Sequence, residues 1–415
     1  MWDARAWRDD VIGDALLDST FSRDVTIIGG CGHVGLPLAI ALADSGARVS
    51  VYDVSDAAVA LVNAAQLPFS EPGALPILRR VIADGSLMAS TDPAVVGEAE
   101  TVIVVIGTPV DEHLNPDPQA IPHALQLCSK HFRDGQLLVL RSTVYPGVTA
   151  LVESMVATLG VDMPVAFCPE RIAEGKAMEE LYTLPQIVSS RSESGRERAA
   201  TLFRRLTGQI VDLTPEEAEL AKLFTNTWRY IKFATANQLY MMANDRGLDF
   251  ERIRQGLMLD YPRAADLPGA GFAAGPCLFK DTMQLAAFNN NNFTLGHAAM
   301  LVNEGLPLYV VDRLEQQHDL KSMTVGILGM AFKGGSDDTR SSLSYKLRRI
   351  LRFKAADVLC TDPYVSDDDT LVSLEHVLAE SDLLIVGAPH RDYIGLVTDK
   401  PVADVWNVFG GGVRV

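Results

Sequence analysis

Short β-branched and apolar runs punctuate the first part of this chain, separated by longer stretches whose apolar residues recur at helical spacing. Val25–Ile28, Val49–Tyr52, Thr101–Ile106, Leu137–Leu140 and Pro164–Phe167 read as strands buried on both faces, since they lack the polar alternation of a half-exposed strand. Strands alternating with helices predict a parallel, doubly wound sheet. From Thr214 to about Arg246 the pattern becomes one long helix, opened by Thr214-Pro-Glu-Glu217, which has capping-box spacing with proline at the first helical position. At 1.5 Å per residue it would run roughly 50 Å, more than one domain needs, so it is expected to join domains or build a dimer interface. After a Gly/Ala-rich segment (268–276) and another helical region, strand patterns return at Thr324–Leu328, Val358–Thr361, Leu383–Val386 and Val402–Val408. The expected organisation is an N-terminal extension (1–22), a first α/β domain (23–210), a central helical part (211–312) and a second α/β domain (313–415).

A chain of 415 residues exceeds the size at which one hydrophobic core stops growing, which agrees with several domains. With 48% hydrophobic and 21% charged residues the composition is that of a globular protein. No apolar run is long enough to span a bilayer, and the N-terminus lacks a signal-peptide pattern. Five scattered cysteines show neither disulfide nor zinc spacing, so a reducing cytoplasm is the expected compartment and no metal is expected. A net charge of −17 argues against nucleic-acid or anionic-membrane partners. Any anionic ligand must then be held by locally placed Lys, Arg and backbone N–H groups.

Val25-Thr-Ile-Ile-Gly-Gly-Cys-Gly-His-Val-Gly35 is a strand followed by G-x-G-x-x-G at Gly30, Gly32 and Gly35, opening a helical run from Leu36. The first glycine permits a tight turn, the second lets backbone approach a pyrophosphate, and the third lets helix and strand pack closely. Asp53 closes the next strand, where it would accept hydrogen bonds from the adenosine ribose and repel a 2′-phosphate. This Rossmann-like pattern predicts NAD as cofactor, with His33 and Val34 in the loop. Doubly wound sheets bind ligands at the carboxyl ends of their strands. Thr108, in Gly107-Thr-Pro-Val110, and Ser142 and Thr143, in Arg141-Ser-Thr143, would therefore reach the cofactor or a bound water, unless they are simply strand-end turn residues.

Gly275-Pro-Cys-Leu-Phe-Lys-Asp281 places Cys277 close to a cation and a carboxylate. A nicotinamide enzyme with a nucleophilic thiol suggests aldehyde-level chemistry, because reaching a carboxylate takes a covalent adduct that loses a second hydride and is then hydrolysed. Lys280 beside the cysteine predicts an electropositive setting that lowers the thiol pKa.

Together these motifs resemble the UDP-glucose/GDP-mannose dehydrogenase family, which oxidises C6 of a nucleotide sugar to a uronic acid. Further likeness lies in Cys168-Pro-Glu-Arg-Ile-Ala-Glu-Gly175, Ala218-Glu-Leu-Ala-Lys-Leu-Phe-Thr-Asn226, Leu328-Gly-Met-Ala-Phe-Lys333 and Asp337-Asp-Thr-Arg340. The resemblance implies two Rossmann-like domains joined by a long central helix, the second binding the nucleotide sugar, and a homodimer. Cys277 would be the nucleophile. Lys222 and Asn226, on one helix face at i, i+4, would stabilise the C6 oxygen. Asp281 and Thr143 would position water, and Glu170 would be the base for hydrolysis. Glu174, Lys280 and Arg340 would contact NAD; Arg171, Ile172, Arg263, Phe272 and Lys333 would contact the substrate, some arginines reaching across the dimer.

The sugar stays open between UDP-glucose and a UDP-N-acetylhexosamine. Pro-Glu-Arg followed by Gly-Lys-Ala-Met-Glu-Glu-Leu181 resembles the N-acetylhexosamine branch, whereas that branch often varies the Lys280-Asp281 pair kept here. Two other readings remain at this stage: a 3-hydroxyacid or 6-phosphogluconate-type dehydrogenase, which needs a helical Lys and Asn but no cysteine, and a non-catalytic nucleotide-sugar-binding protein.

Overall fold

The fold is described from a computed structural model for residues 21–108, 110–111, 116–413 and 415. Most of the expected N-terminal extension, and Pro109 of the Gly107-Thr-Pro-Val110 turn, lie outside the described residues.

Eight strands form the first sheet: β1 (Arg23–Ile28), β2 (Val49–Tyr52), β3 (Leu87–Ser90), β4 (Ala99–Val104), β5 (Leu137–Leu140), β6 (Val165–Phe167), β7 (Gln186–Ser190) and β8 (Ile210–Asp212). Their order is β3-β2-β1-β4-β5-β6-β7-β8, and all neighbours run parallel except β6 and β7. Chain order reverses at β1, between β2 and β4, which is where a doubly wound sheet opens a crevice at its carboxyl edge. The central strands read as unbroken apolar runs because both faces are covered. Val25 and Ile27 pack with Leu36, Leu38 and Ile40 of the helix Gly35–Asp44 on one side, and Ile28, Val102, Val104 and Leu138 pack on the other.

Three strands carry no such signal. β3 (LMAS) has no β-branched residue and is half-exposed, β7 (QIVSS) is mostly polar, and β8 has three residues.

A 30-residue helix, Pro215–Asn244, begins at the capping box: Thr214 accepts from the Glu217 N–H, and the Glu217 carboxylate accepts from the Thr214 N–H. Its buried stripe packs on the helices Leu278–Phe288 and Thr294–Gln317.

The second sheet joins β9 (Thr324–Leu328), β10 (Asp357–Thr361), β11 (Leu383–Val386) and β12 (Val402–Ala403) in the parallel order β10-β9-β11-β12. The strand expected over Val402–Val408 stops at Ala403, because the Asp404 carboxylate accepts the N–H groups of Trp406 and Phe409 and turns the chain. No helix among the described residues is long and apolar enough to cross a membrane.

Candidate active site

The glycine loop divides its labour, with the positive φ of the turn on Gly29 (+72°) and not on Gly30, where the spacing put it. A Cβ on Gly30 would lie 2.8 Å from the Val51 side chain, and one on Gly35 would lie 2.6 Å from the Gly30 Cα, so both keep helix and strand in close contact. A Cβ on Gly32 meets nothing within 4 Å, so that backbone is open to a ligand. Asp53 lies just beyond β2, where its carboxylate accepts from the Cys31 N–H at 3.0 Å and the Ser55 N–H at 3.1 Å. An open glycine at a helix N-terminus and an acid at the next strand end fit a dinucleotide's pyrophosphate and ribose diol.

Cys277 precedes the helix Leu278–Phe288 as its N-cap residue. Of the free cysteines it alone is exposed; Cys31, Cys128, Cys168 and Cys360 are buried. Its loop needs glycine at 275, where φ is +101° and a Cβ would come within 2.6 Å of the Phe332 ring. That close approach sets the cysteine loop directly against the 329–335 loop of the second sheet.

Four predicted residues cluster by the thiol. Lys222 and Asn226 are buried on the same face of the long helix. Asn226 Nδ2 donates to Asp281 Oδ2 at 2.5 Å, and Lys280 Nζ lies 2.7 Å from Asp281 Oδ1. Asp281 is fully buried, and its carboxylate holds Asn226 on one oxygen and Lys280 on the other. Lys280 also reaches Thr108 Oγ1 at 3.4 Å, and that hydroxyl donates to the Thr143 carbonyl at 2.6 Å. The cluster thereby bridges to the carboxyl edge of the first sheet.

The expected electropositive setting does not prevail. Burial, then the Asp281 carboxylate, push the Cys277 thiol above its ordinary value of 9.0, against the opposing pull of Lys222, Lys280 and Arg340. Burial likewise lowers the Lys222 ammonium, with Asp281, Cys277 and Glu170 partly restoring it.

Glu170 is held on both carboxylate oxygens. Its Oε2 pairs with the fully buried Arg141, and its Oε1 accepts the N–H groups of Arg171 (2.7 Å) and Ile172 (3.0 Å). Arg141 also donates to the Cys168 carbonyl and to Gln186 Oε1, so Glu170 anchors the 168–172 loop. Nothing in the sequence distinguished this arginine from its neighbours; only a buried cation in need of a counter-ion reveals it.

Several other candidates have partners of their own within the fold. Ser142 Oγ accepts from the Ile106 N–H and donates to the Ile106 carbonyl, so it ties β5 to β4. Phe272 is 2% exposed and packs edge-on to Trp406, so it belongs to the core of the second half. Arg171 turns to the Pro185 carbonyl, and Ile172 packs on the first core. Arg263 donates to the Tyr261 hydroxyl and stacks on its ring, with no hydrogen bond or ion pair to the cysteine cluster among the described residues.

Glu174 lies where the halves meet. Its Oε1 accepts from Ser336 Oγ at 3.0 Å and lies 3.6 Å from His33 Nδ1, while Arg340 is 3.9 Å from its Oε2 and Lys333 Nζ donates to its carbonyl. Burial, then the nearby Asp338, push its carboxyl up to about 7. His33, Glu174 and Asp338 bring ligand-type atoms within 4.8 Å of one another, but Arg340 already binds Asp338 through two nitrogens. Asp338 and Ser336 were not anticipated as site residues; the Asp337-Asp-Thr-Arg340 motif was the available signal.

Three domain profiles of one family cover the chain in order: the NAD-binding domain over residues 23–207, the central domain over 216–305 and the UDP-binding domain over 326–411. UDP-N-acetyl-D-mannosamine dehydrogenase of Pyrococcus horikoshii is 30% identical over 377 residues, covering 88% of this chain and 89% of its own. The Salmonella typhimurium enzyme of the same name is 27% identical, covering 90% and 95%. Among solved structures, a UDP-glucose dehydrogenase from Pyrobaculum islandicum superimposes with a TM-score of 0.88 at 27% identity, covering 97% of this chain and 99% of that one. The cofactor is therefore NAD, as the glycine loop and Asp53 indicate. The three domains in order, the shared fold and the relatives' near-complete coverage establish that the chain belongs to the UDP-glucose/GDP-mannose dehydrogenase family.

Proposed function

We propose that this NAD-dependent oxidoreductase oxidises the C6 hydroxyl of a UDP-sugar to the carboxylate in two successive hydride transfers. The observation that carries this reading is Cys277, exposed as a residue at a helix start while its sulfur lies among Lys222, Lys280 and Asp281, the last bonded to Asn226. NAD, when bound, accepts each hydride. The residues divide the remaining work. Lys222 and Asn226 face negative charge developing on the C6 oxygen, the lysine by charge and the amide by hydrogen bond. Cys277 adds its sulfur to the C6 aldehyde, giving up its proton as the aldehyde oxygen gains one, to form a thiohemiacetal. Loss of the second hydride, with the hydroxyl proton released to solvent, leaves a thioester, which water cleaves to carboxylate and thiol. Lys222 and Lys280 favour the thiolate against burial, which eases release of the thiol proton as the sulfur adds.

The relatives' substrates favour a UDP-N-acetylhexosamine, with UDP-N-acetyl-D-mannosamine first to be tested. The working assembly is a homodimer. Phe224, Trp228, Leu239 and Met242 share one face of the long helix, and Phe224, Trp228 and Met242 are each more than half exposed, an apolar strip for a second copy to cover. NADH released per sugar, measured across UDP-, TDP- and GDP-sugars, tests the reaction. Two NADH per carboxylate supports it, and one NADH with an oxo product points to the hydroxyacid type. Cys277→Ala should abolish acid formation and leave NAD affinity nearly unchanged; undiminished turnover to acid would overturn the covalent route.

A further inference from the structure

His390 and Asp362 form a dyad with both side chains fully buried, far along the chain from the cysteine cluster. They stand just beyond the carboxyl ends of β11 and β10, flanking β9, where chain order reverses in the second sheet. His390 Nε2 lies 2.9 Å from Asp362 Oδ2, and His390 Nδ1 accepts from the Gly335 N–H at 3.1 Å. An N–H pointing at Nδ1 requires a lone pair there, which places the ring proton on Nε2, directed at the carboxylate. Asp362 Oδ2 also accepts the N–H groups of Met330 (2.6 Å) and Ala331 (2.9 Å), and Oδ1 accepts those of Tyr364 (2.8 Å) and Val365 (3.2 Å). The rings of Tyr364 and Tyr393 enclose the imidazole at 5.0 and 5.6 Å between centroids.

All these bonds converge on one loop. Asp362 holds its start at Met330 and Ala331, and His390 holds its end at Gly335. Gly334 lies so close to Pro389 that a Cβ there would come within 2.2 Å of the Pro389 carbonyl oxygen. Between the two anchors stand Phe332, which closes over Gly275, and Lys333. Burying an imidazole and a carboxylate is costly unless both are fully hydrogen-bonded, and a loop of this length can be shaped with apolar packing alone. Such a network defines one backbone path for the residues between its anchors.

We propose that His390, through Asp362 and Gly335, is a positioning residue for nucleotide-sugar binding. It fixes the 329–335 loop so that the Lys333 ammonium meets the diphosphate of the UDP moiety. This deepens the proposed function and rests on it. His390 does not touch ligand; it acts through Lys333.

Calorimetric titration of the full-length chain with UDP tests it, comparing the parent with His390→Phe, His390→Gln, Asp362→Asn, Lys333→Ala and the double variant His390→Phe/Lys333→Ala. His390→Phe is expected to weaken UDP roughly tenfold, as loss of one charge-assisted contact does, with NAD affinity unchanged. His390→Gln, whose amide oxygen can still accept from Gly335, should recover much of the loss, and Asp362→Asn should resemble His390→Phe. The double variant should bind UDP no more weakly than Lys333→Ala alone, since once the ammonium is gone its placement no longer matters. A general loss of packing would instead add to the Lys333 effect. UDP binding within twofold of the parent in soluble, folded His390→Phe or Asp362→Asn, or full additivity in the double variant, overturns the positioning role. Failure of the parent itself to bind UDP overturns the nucleotide-sugar reading on which the role depends.

Discussion

At Cys277 two opposing influences meet. A helix start and two lysines favour the thiolate, while burial and the Asp281 carboxylate disfavour it and prevail. The thiol is therefore pushed up from the ordinary cysteine value of 9.0. Iodoacetamide labelling of Cys277, followed by peptide mass analysis, should accelerate with pH and pass its midpoint above that value; a midpoint near 7 would show that the lysines dominate. The four buried cysteines should label slowly throughout, with Cys168 pushed up to about 12 and Cys128 to about 11 by burial. Lys222 gives a second prediction. Replacing it with Met keeps the bulk of the side chain but removes the charge proposed to face the C6 oxygen. The turnover number should fall by about 10²–10³, the usual cost of one preorganised oxyanion donor, while NAD affinity holds. Pre-steady-state NADH release locates the loss in the hydride steps.

At the scale of elements, the glycine loop and the long helix show how local sequence sets local structure. Gly35→Ala and Gly32→Ala should part company. The first forces a Cβ to within 2.6 Å of the Gly30 backbone and should lower the melting temperature. The second meets no protein atom within 4 Å, so it should leave the melting temperature near the parent's and weaken NAD binding. Thr214→Ala removes one half of the capping box and should cost about 1 kcal/mol, read as a lower denaturation midpoint with an unchanged slope. These features were legible because a cap, a glycine and a proline act on neighbouring backbone. β7 and β8 were not, since their pairing depends on the preceding strands having already assembled a sheet edge. The break after Ala403 was hidden for a similar reason, because a carboxylate that turns the chain looks in sequence like any other strand-end acid.

Across the whole molecule, loops of the first sheet and the second sheet meet around the cysteine helix, and Glu174 stands in the seam. Its carboxyl is raised from an ordinary 4.5 to about 7, so between those values the folded protein holds a proton that the unfolded chain has released. The contribution is present in full below about 4.5 and is lost as pH rises through about 7. Glu174→Gln cannot ionise and should remove this component. The stability difference between variant and parent, followed by denaturant midpoints, should shift in the variant's favour as pH rises across that window. A difference independent of pH would show that Glu174 is ionised throughout.

By itself the sequence determined the cofactor loop, the spine of the molecule and the cysteine, lysine and asparagine on which the proposed chemistry rests, because each is written in contiguous residues at a helical or strand period. Tertiary structure decided which charges are available. It paired Glu170 with Arg141, enclosed Asp281 against Asn226 and Lys280, tied Ser142 to Ile106, withdrew Phe272 into the core and set His390 beneath a loop fifty-five positions away. Burial and electrostatic partnership are properties of distance in space, and no spacing along a chain encodes which carboxylate a buried arginine will meet.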